Sequence, residues 1–192
     1  MFKKLNIADW ISLYRIIALP FLVLAIILDE KILFGWLLLV SLLSDVVDGY
    51  LARKLNIATK RGARLDSTGD ILTLVVAIVA IYFFEREFVF EHYKAFLLIV
   101  GLYILQVILS FIRFGKLSSY HTFLAKAAAV FQGAFILSLL FFEAQYWLFY
   151  LTLIISVAEI LEEIIITFII PKWRANVKGL YWILTEKERR NI

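Results

Sequence analysis

Residues 44–70 read SDVVDGYLARKLNIATKRGARLDSTGD, and the reading of this stretch decides the rest of the chain. It joins two long apolar runs, yet it carries Asp45, Asp48, Asp66 and Asp70. Aspartates so close to greasy sequence need a physical reason, because an ionised carboxylate is costly near hydrocarbon unless something balances it.

The surroundings are those of a membrane protein. Of 192 residues, 63% are hydrophobic and the mean hydropathy is +0.90. Soluble domains are nearer half apolar. No cysteine is present, which excludes disulfides and thiolate metal sites, and two histidines are too few for a histidine-rich one. The formal charge of +4 informs less by its sum than by its distribution.

Crossing ~30 Å of hydrocarbon takes about 20 apolar residues. Six such runs are predicted, at 10–28, 32–51, 65–84, 94–114, 120–142 and 146–170. None alternates as a barrel strand would, so an all-α integral membrane protein is expected. Arg15 and the lack of a small-residue cleavage site predict that the first span is retained. The membrane domain is expected over 1–170. A basic and aromatic tail follows at 171–192, either along the inner leaflet or solvated.

Topology follows from the basic residues. With the N-terminus inside, only Lys31, Arg86 and Lys94 of the 20 lysines and arginines fall outside. That bias predicts both termini in the cytoplasm. Trp10, Trp36, Trp147 and Trp173 fall near span ends, where an amphipathic ring suits the headgroup region.

On this topology the four aspartates meet at the inner surface. Asp45 and Asp48 are spaced i, i+3 at the end of the second span. Asp66 and Asp70 are spaced i, i+4 at the start of the third, so each pair shares a helix face. Basic residues of the connecting loop can balance one or two charges. Divalent cations can balance all four, and an all-oxygen set selects Mg²⁺ or Mn²⁺. Gly49, Ala52 and Gly62 permit close approach of a ligand or of another helix. Arg53 suits a phosphate or an aspartate.

The pattern Asp45-x2-Asp48-Gly49-x2-Ala52-Arg53-x8-Gly62-x3-Asp66-x3-Asp70 resembles the signature of the CDP-alcohol phosphotransferases at every fixed position and spacing. Eight specified residues arise by chance at a given start with a probability on the order of 10⁻¹⁰. Asn6, Ser12, Arg15 and Pro20 resemble the opening of the first span in the phosphatidylglycerophosphate synthase branch. Ser12 stands where threonine is commoner, and Ala8 where proline is usual. Lys126 resembles a lysine of that branch's fifth span.

The resemblance implies transfer of a phosphatidyl group from a CDP-linked lipid to a small polar alcohol, with release of CMP. It implies two divalent metals, Mg²⁺ or Mn²⁺, on Asp45, Asp48, Asp66 and Asp70, with Asp70 also taking the acceptor's proton. Gly49, Ala52, Arg53, Gly62, Asn6, Ser12 and Arg15 would serve the CDP donor. It further implies a homodimer in a membrane, its site facing the cytoplasm, with no nucleic acid as partner.

Acceptor choice rests on weaker signals. Arg113, Lys116, His121 and Lys126 place basic groups near the same surface, which favours a phosphorylated acceptor. Glycerol 3-phosphate ranks first, ahead of serine, inositol, inositol phosphate and phosphatidylglycerol. "LDSTGD" replaces the branch's usual "LDPLAD" and resembles the serine-using branch. Glu159, Glu162 and Glu163 in the last span are expected to form a supporting charge network, with Arg15 or Lys126 as partner. A reading as contacts for an amine-bearing acceptor stands beside it. Two rival classes remain: a cation transporter, which needs acids along a whole path, and an inactive scaffold of the same fold.

Overall fold

The computed structural model describes residues 7–54, 60–116, 120, 122–175 and 177–190. Side chains are described for these except 7–9, 11, 12, 48–53, 60–67, 70 and 186–190. The described residues form helices and no strand: α1 (Ile7–Ile27), α2 (Lys31–Lys54), α3 (Lys60–Phe84), α4 (Arg86–Glu91), α5 (Tyr93–Phe114), α6 (Phe123–Phe141), α7 (Tyr146–Ile169) and α8 (Leu180–Arg190).

Each of the six expected runs lies on a long helix. Two elements were not expected, the six-residue α4 and α8 within the tail. α8 escapes a search for apolar runs because its sequence, LYWILTEKERR, is polar over half its length. Helix ends follow local chemistry. α5 stops at Gly115, whose φ of 63° places it in the left-handed region, with its N–H on Phe111 O at 2.8 Å. α7 stops at Ile170, extended at φ −77° and ψ 133°, because Pro171 disfavours helical geometry in the residue before it. Thr122 Oγ1 accepts the Ala125 N–H at 3.0 Å and caps α6.

α5 and α6 are long and apolar enough to cross a membrane, and shorter apolar stretches, Leu13–Ile27 and Ile71–Phe84, lie in α1 and α3. α5 is inverted relative to a soluble helix: Leu97, Ile104, Ile108 and Ile112 are exposed, while Gln106 and Ser110 are buried. Such a pattern fits lipid on the outside and polar contacts within.

The chain divides into two compact units. The first comprises residues 1–89 with 136–143, and the second 90–135 with 144–192. In the first, α1 packs on both α2 and α3, which touch each other only slightly. Its core joins Leu22, Ala25, Phe34, Leu38, Ala77, Ala80 and Leu140. Gly35 admits the Phe141 ring, which a Cβ there would approach to 3.0 Å. In the second unit α5 packs on α7. Tyr120, Ile166, Ile170, Val177 and Ile183 form a cluster that seats α8.

Candidate active site

One ion pair fixes how the aspartate helices run. Lys31, at the start of α2, pairs with Glu85, just after α3. The helices are therefore antiparallel, and the stretches that carry the aspartates lie away from this pair. Asp45 lies 14 residues along from Lys31, and Asp70 lies 15 residues before Glu85. At 1.5 Å per residue both are about 21–23 Å from the pair, so they sit at one level. The spacings i, i+3 and i, i+4 keep each aspartate pair on one face of its own helix.

α1 supplies the group that meets both helices at this level. Arg15 is 2% exposed and donates from Nη1 to Asp45 Oδ1 at 2.7 Å. A Cβ on Gly69 would stand 3.8 Å from Arg15 Cβ, Nε and Cζ, an ordinary contact distance. Glycine in α3 thus lets the guanidinium lie against the backbone beside Asp70. The Asp45 carboxylate, by contrast, is 41% exposed. The pair runs from a buried cation outward to a carboxylate open to ligands.

One turn deeper the lining stays polar. Ser41, four residues before Asp45, and Thr73, four after Gly69, are 2% and 7% exposed. Their hydroxyls are buried with no hydrogen-bond partner among the described residues. Beyond them the interior turns apolar, with Leu22, Leu38 and Ala77. Neither hydroxyl was singled out from the sequence, although each stands one helical turn from a singled-out position.

The backbones of Asp48, Gly49, Ala52 and Arg53 lie in the last turns of α2, and those of Gly62, Asp66 and Asp70 on α3. Ser12 lies on α1, one turn before Arg15. The side chains of all eight are outside the described residues, as are Asn6 and His121 altogether. No group of three or more potential metal ligands occurs among the described residues. The donor chemistry nevertheless fits a hard divalent ion. Asp45 offers a carboxylate that is 41% exposed, and the other three expected ligands are carboxylates of the same two helices.

In the second unit the expected basic residues are exposed and lie over aromatic rings. Arg113 stands over Phe114 and Phe168 at 5.7 and 6.0 Å, Lys116 over Trp173 at 5.1 Å, and Lys126 over Phe123 at 5.5 Å. Arg113 Nη2 also donates to Ile170 O at 3.2 Å. These contacts suit anchoring at a membrane interface.

Two of the three expected glutamates of α7, Glu162 and Glu163, have partners that the sequence did not suggest. Gln106 Nε2 donates to Glu163 Oε2 at 2.7 Å, and the Leu180 N–H donates to Glu162 Oε1 at 2.9 Å. Glu162 thereby fixes the start of α8. Tyr120 Oη and Thr167 Oγ1 are 2.9 Å apart, and Thr167 Oγ1 donates to Glu163 O at 2.8 Å. Arg15, expected as a partner for these acids, pairs with Asp45 on α2. A lone glutamine in an apolar span was the signal that could have named Gln106 in advance.

Comparison with known proteins places this architecture. The profile of the CDP-alcohol phosphatidyltransferases matches residues 5–158, so the chain belongs to that family. Three relatives bear the name CDP-diacylglycerol–glycerol-3-phosphate 3-phosphatidyltransferase. The one from Sodalis glossinidius is 33% identical over 81 residues, 41% of this chain and 44% of the relative. One from Yersinia pestis is 35% identical over 85 residues, with the same shares. That of Wigglesworthia glossinidia brevipalpis is 32% identical over 88 residues, 44% of this chain and 48% of the relative. The chain spans under half the length of the relatives it matches.

Proposed function

We propose that the protein transfers a phosphatidyl group from CDP-diacylglycerol to the hydroxyl of glycerol 3-phosphate and releases CMP. The observation that carries this reading is the meeting of Arg15 with Asp45 on α2 and Gly69 on α3, at the level of Asp70. The relatives' names support the choice of donor and acceptor.

On this reading the acceptor oxygen attacks the phosphorus that bears the diacylglycerol. The bond from that phosphorus to the bridging oxygen breaks, and CMP leaves with the electron pair. Asp70 takes the hydroxyl proton as the new bond forms. Asp45, Asp48, Asp66 and Asp70 would hold divalent cations, which when bound supply charge against the diphosphate. Arg15 orients Asp45 through their ion pair. Gly49, Ala52 and Gly62, with Arg53, Asn6 and Ser12, would serve the CDP moiety.

On this reading the long helices are six spans with both termini in the cytoplasm. α7, at 24 residues, is about 36 Å long and exceeds the hydrocarbon thickness. The site would then lie at the inner surface, where the lipid donor keeps its chains in the bilayer and its head on the aspartates.

The test is CMP release by purified protein in nanodiscs with CDP-diacylglycerol, Mg²⁺ or Mn²⁺, and separate acceptors. Release with glycerol 3-phosphate, absent in excess chelator, is expected. Release with serine or an inositol instead would move the acceptor assignment. CDP binding without release to any acceptor would favour the inactive scaffold.

A further inference from the structure

α2 and α3 carry the aspartates but touch each other little, and each leans on α1. Arg15 is the α1 side chain at that level, bonded to Asp45 and packed against Gly69. Its guanidinium keeps its charge at any physiological pH. Burying a permanent cation in a site that must also bind cations is costly on two counts, desolvation and repulsion. The arrangement makes sense if that cation is part of the site's charge balance. The hydroxyls of Ser41 and Thr73, one turn deeper on the same two helices, extend the polar lining around it.

We propose that Arg15 is a positioning residue that orients Asp45, spaces α2 from α3, and loosens metal binding in exchange for tighter binding of the diphosphate. This rests on the phosphatidyl-transfer reading above. Four carboxylates with Arg15 carry a formal charge of about −3, and two divalent ions bring the site to about +1. Without Arg15 the loaded site is neutral. The same side chain therefore opposes the metals and favours the anionic donor. A residue that only supported the fold would shift both affinities in one direction.

The experiment uses the full chain in nanodiscs and measures Mn²⁺ binding by electron paramagnetic resonance, then CDP binding by calorimetry at saturating Mn²⁺. A guanidinium at ion-pair distance weakens a carboxylate's hold on a competing cation by about tenfold or more. Arg15→Gln should therefore bind Mn²⁺ about tenfold more tightly and CDP about tenfold more weakly. Arg15→Lys, which keeps the charge but not the planar fork, should leave both affinities within about threefold and lower turnover. Should Arg15→Gln fail to fold, Arg15→Met is the second uncharged variant. Parallel loss of both affinities, or an Arg15→Lys protein that behaves like Arg15→Gln, overturns the proposal. Opposed shifts in a protein that releases no CMP would leave Arg15's role standing and sink the transfer reading instead.

Discussion

The two units handle buried polar groups in opposite ways. In the second, several polar side chains along α7, between Thr152 and Thr167, meet partners from the protein itself. Gln132 Nε2 donates to Ser156 Oγ at 2.9 Å, Thr152 Oγ1 to Phe131 O at 3.3 Å, and Gln106 to Glu163. In the first unit the buried polar residues Arg15, Ser41 and Thr73 lie toward the end that carries Asp45, and the two hydroxyls have no partner among the described residues. Polar groups spent on one another hold helices together. Buried hydroxyls without a partner are ones that a ligand or a water can use.

The largest effect that would break this contrast is in catalysis. Asp70→Asn in the first unit should lower CMP release by about 10²–10⁴-fold while the thermal melt is retained. Ordinary turnover would remove Asp70 as the base.

A substitution in the second unit should do the reverse. Gln106→Leu strips Glu163 of a donor and should lower stability by about 1–2 kcal/mol in denaturant titrations, with CDP binding intact. A stable variant that no longer binds CDP would mean that unit 2 is more than a frame.

Gly179→Ala should come next in size. Its φ of 154° disfavours a side chain, and a Cβ would stand 3.1 Å from Glu162 Oε1. A cost of about 1 kcal/mol is expected, with faster amide exchange at Leu180 and Ile183 as α8 loosens from Glu162.

The smallest effect sharpens the comparison most. Ser41→Ala and Thr73→Val remove hydroxyls without a partner, so each should change stability by less than about 1 kcal/mol or raise it. Ser156→Ala, which leaves Gln132 without an acceptor, should cost more than either. Equal costs would mean that Ser41 and Thr73 bond something such as an ordered water.

The long helices were legible because membrane helices announce themselves by length and apolarity, and each predicted run lies on one. The aspartate pattern was legible because its spacing is a local property of two helices. What could not be read was which distant side chain balances which charge. Arg15 pairs with Asp45 across thirty positions, and Gln106 reaches Glu163 across 57. Neither distance leaves a local signature, and the basic residues between Asp48 and Asp66, which lie on α2 and α3, were nearer in sequence as partners for the aspartates. α8 escaped for another reason. A short surface helix needs a docking face, here Ile183 and Leu180 on the end of α7, and no apolar run records that.

Leu140, fully buried among Leu22, Ala25, Phe34, Leu38, Ala77 and Ala80, comes from a helix made long after its neighbours. Phe141 follows it and stacks on Trp36 with ring centroids 5.1 Å apart. About 45 residues separate the two pieces of the first unit in the chain. At roughly 5–20 residues per second, a ribosome takes several seconds to deliver the second piece. During that interval α1, α2 and α3 lack Leu140 and Phe141, and Phe34 and Trp36 have no cover from them. A nascent chain stalled before residue 136 should therefore stay a client of the insertion machinery, and release should follow the arrival of these two residues.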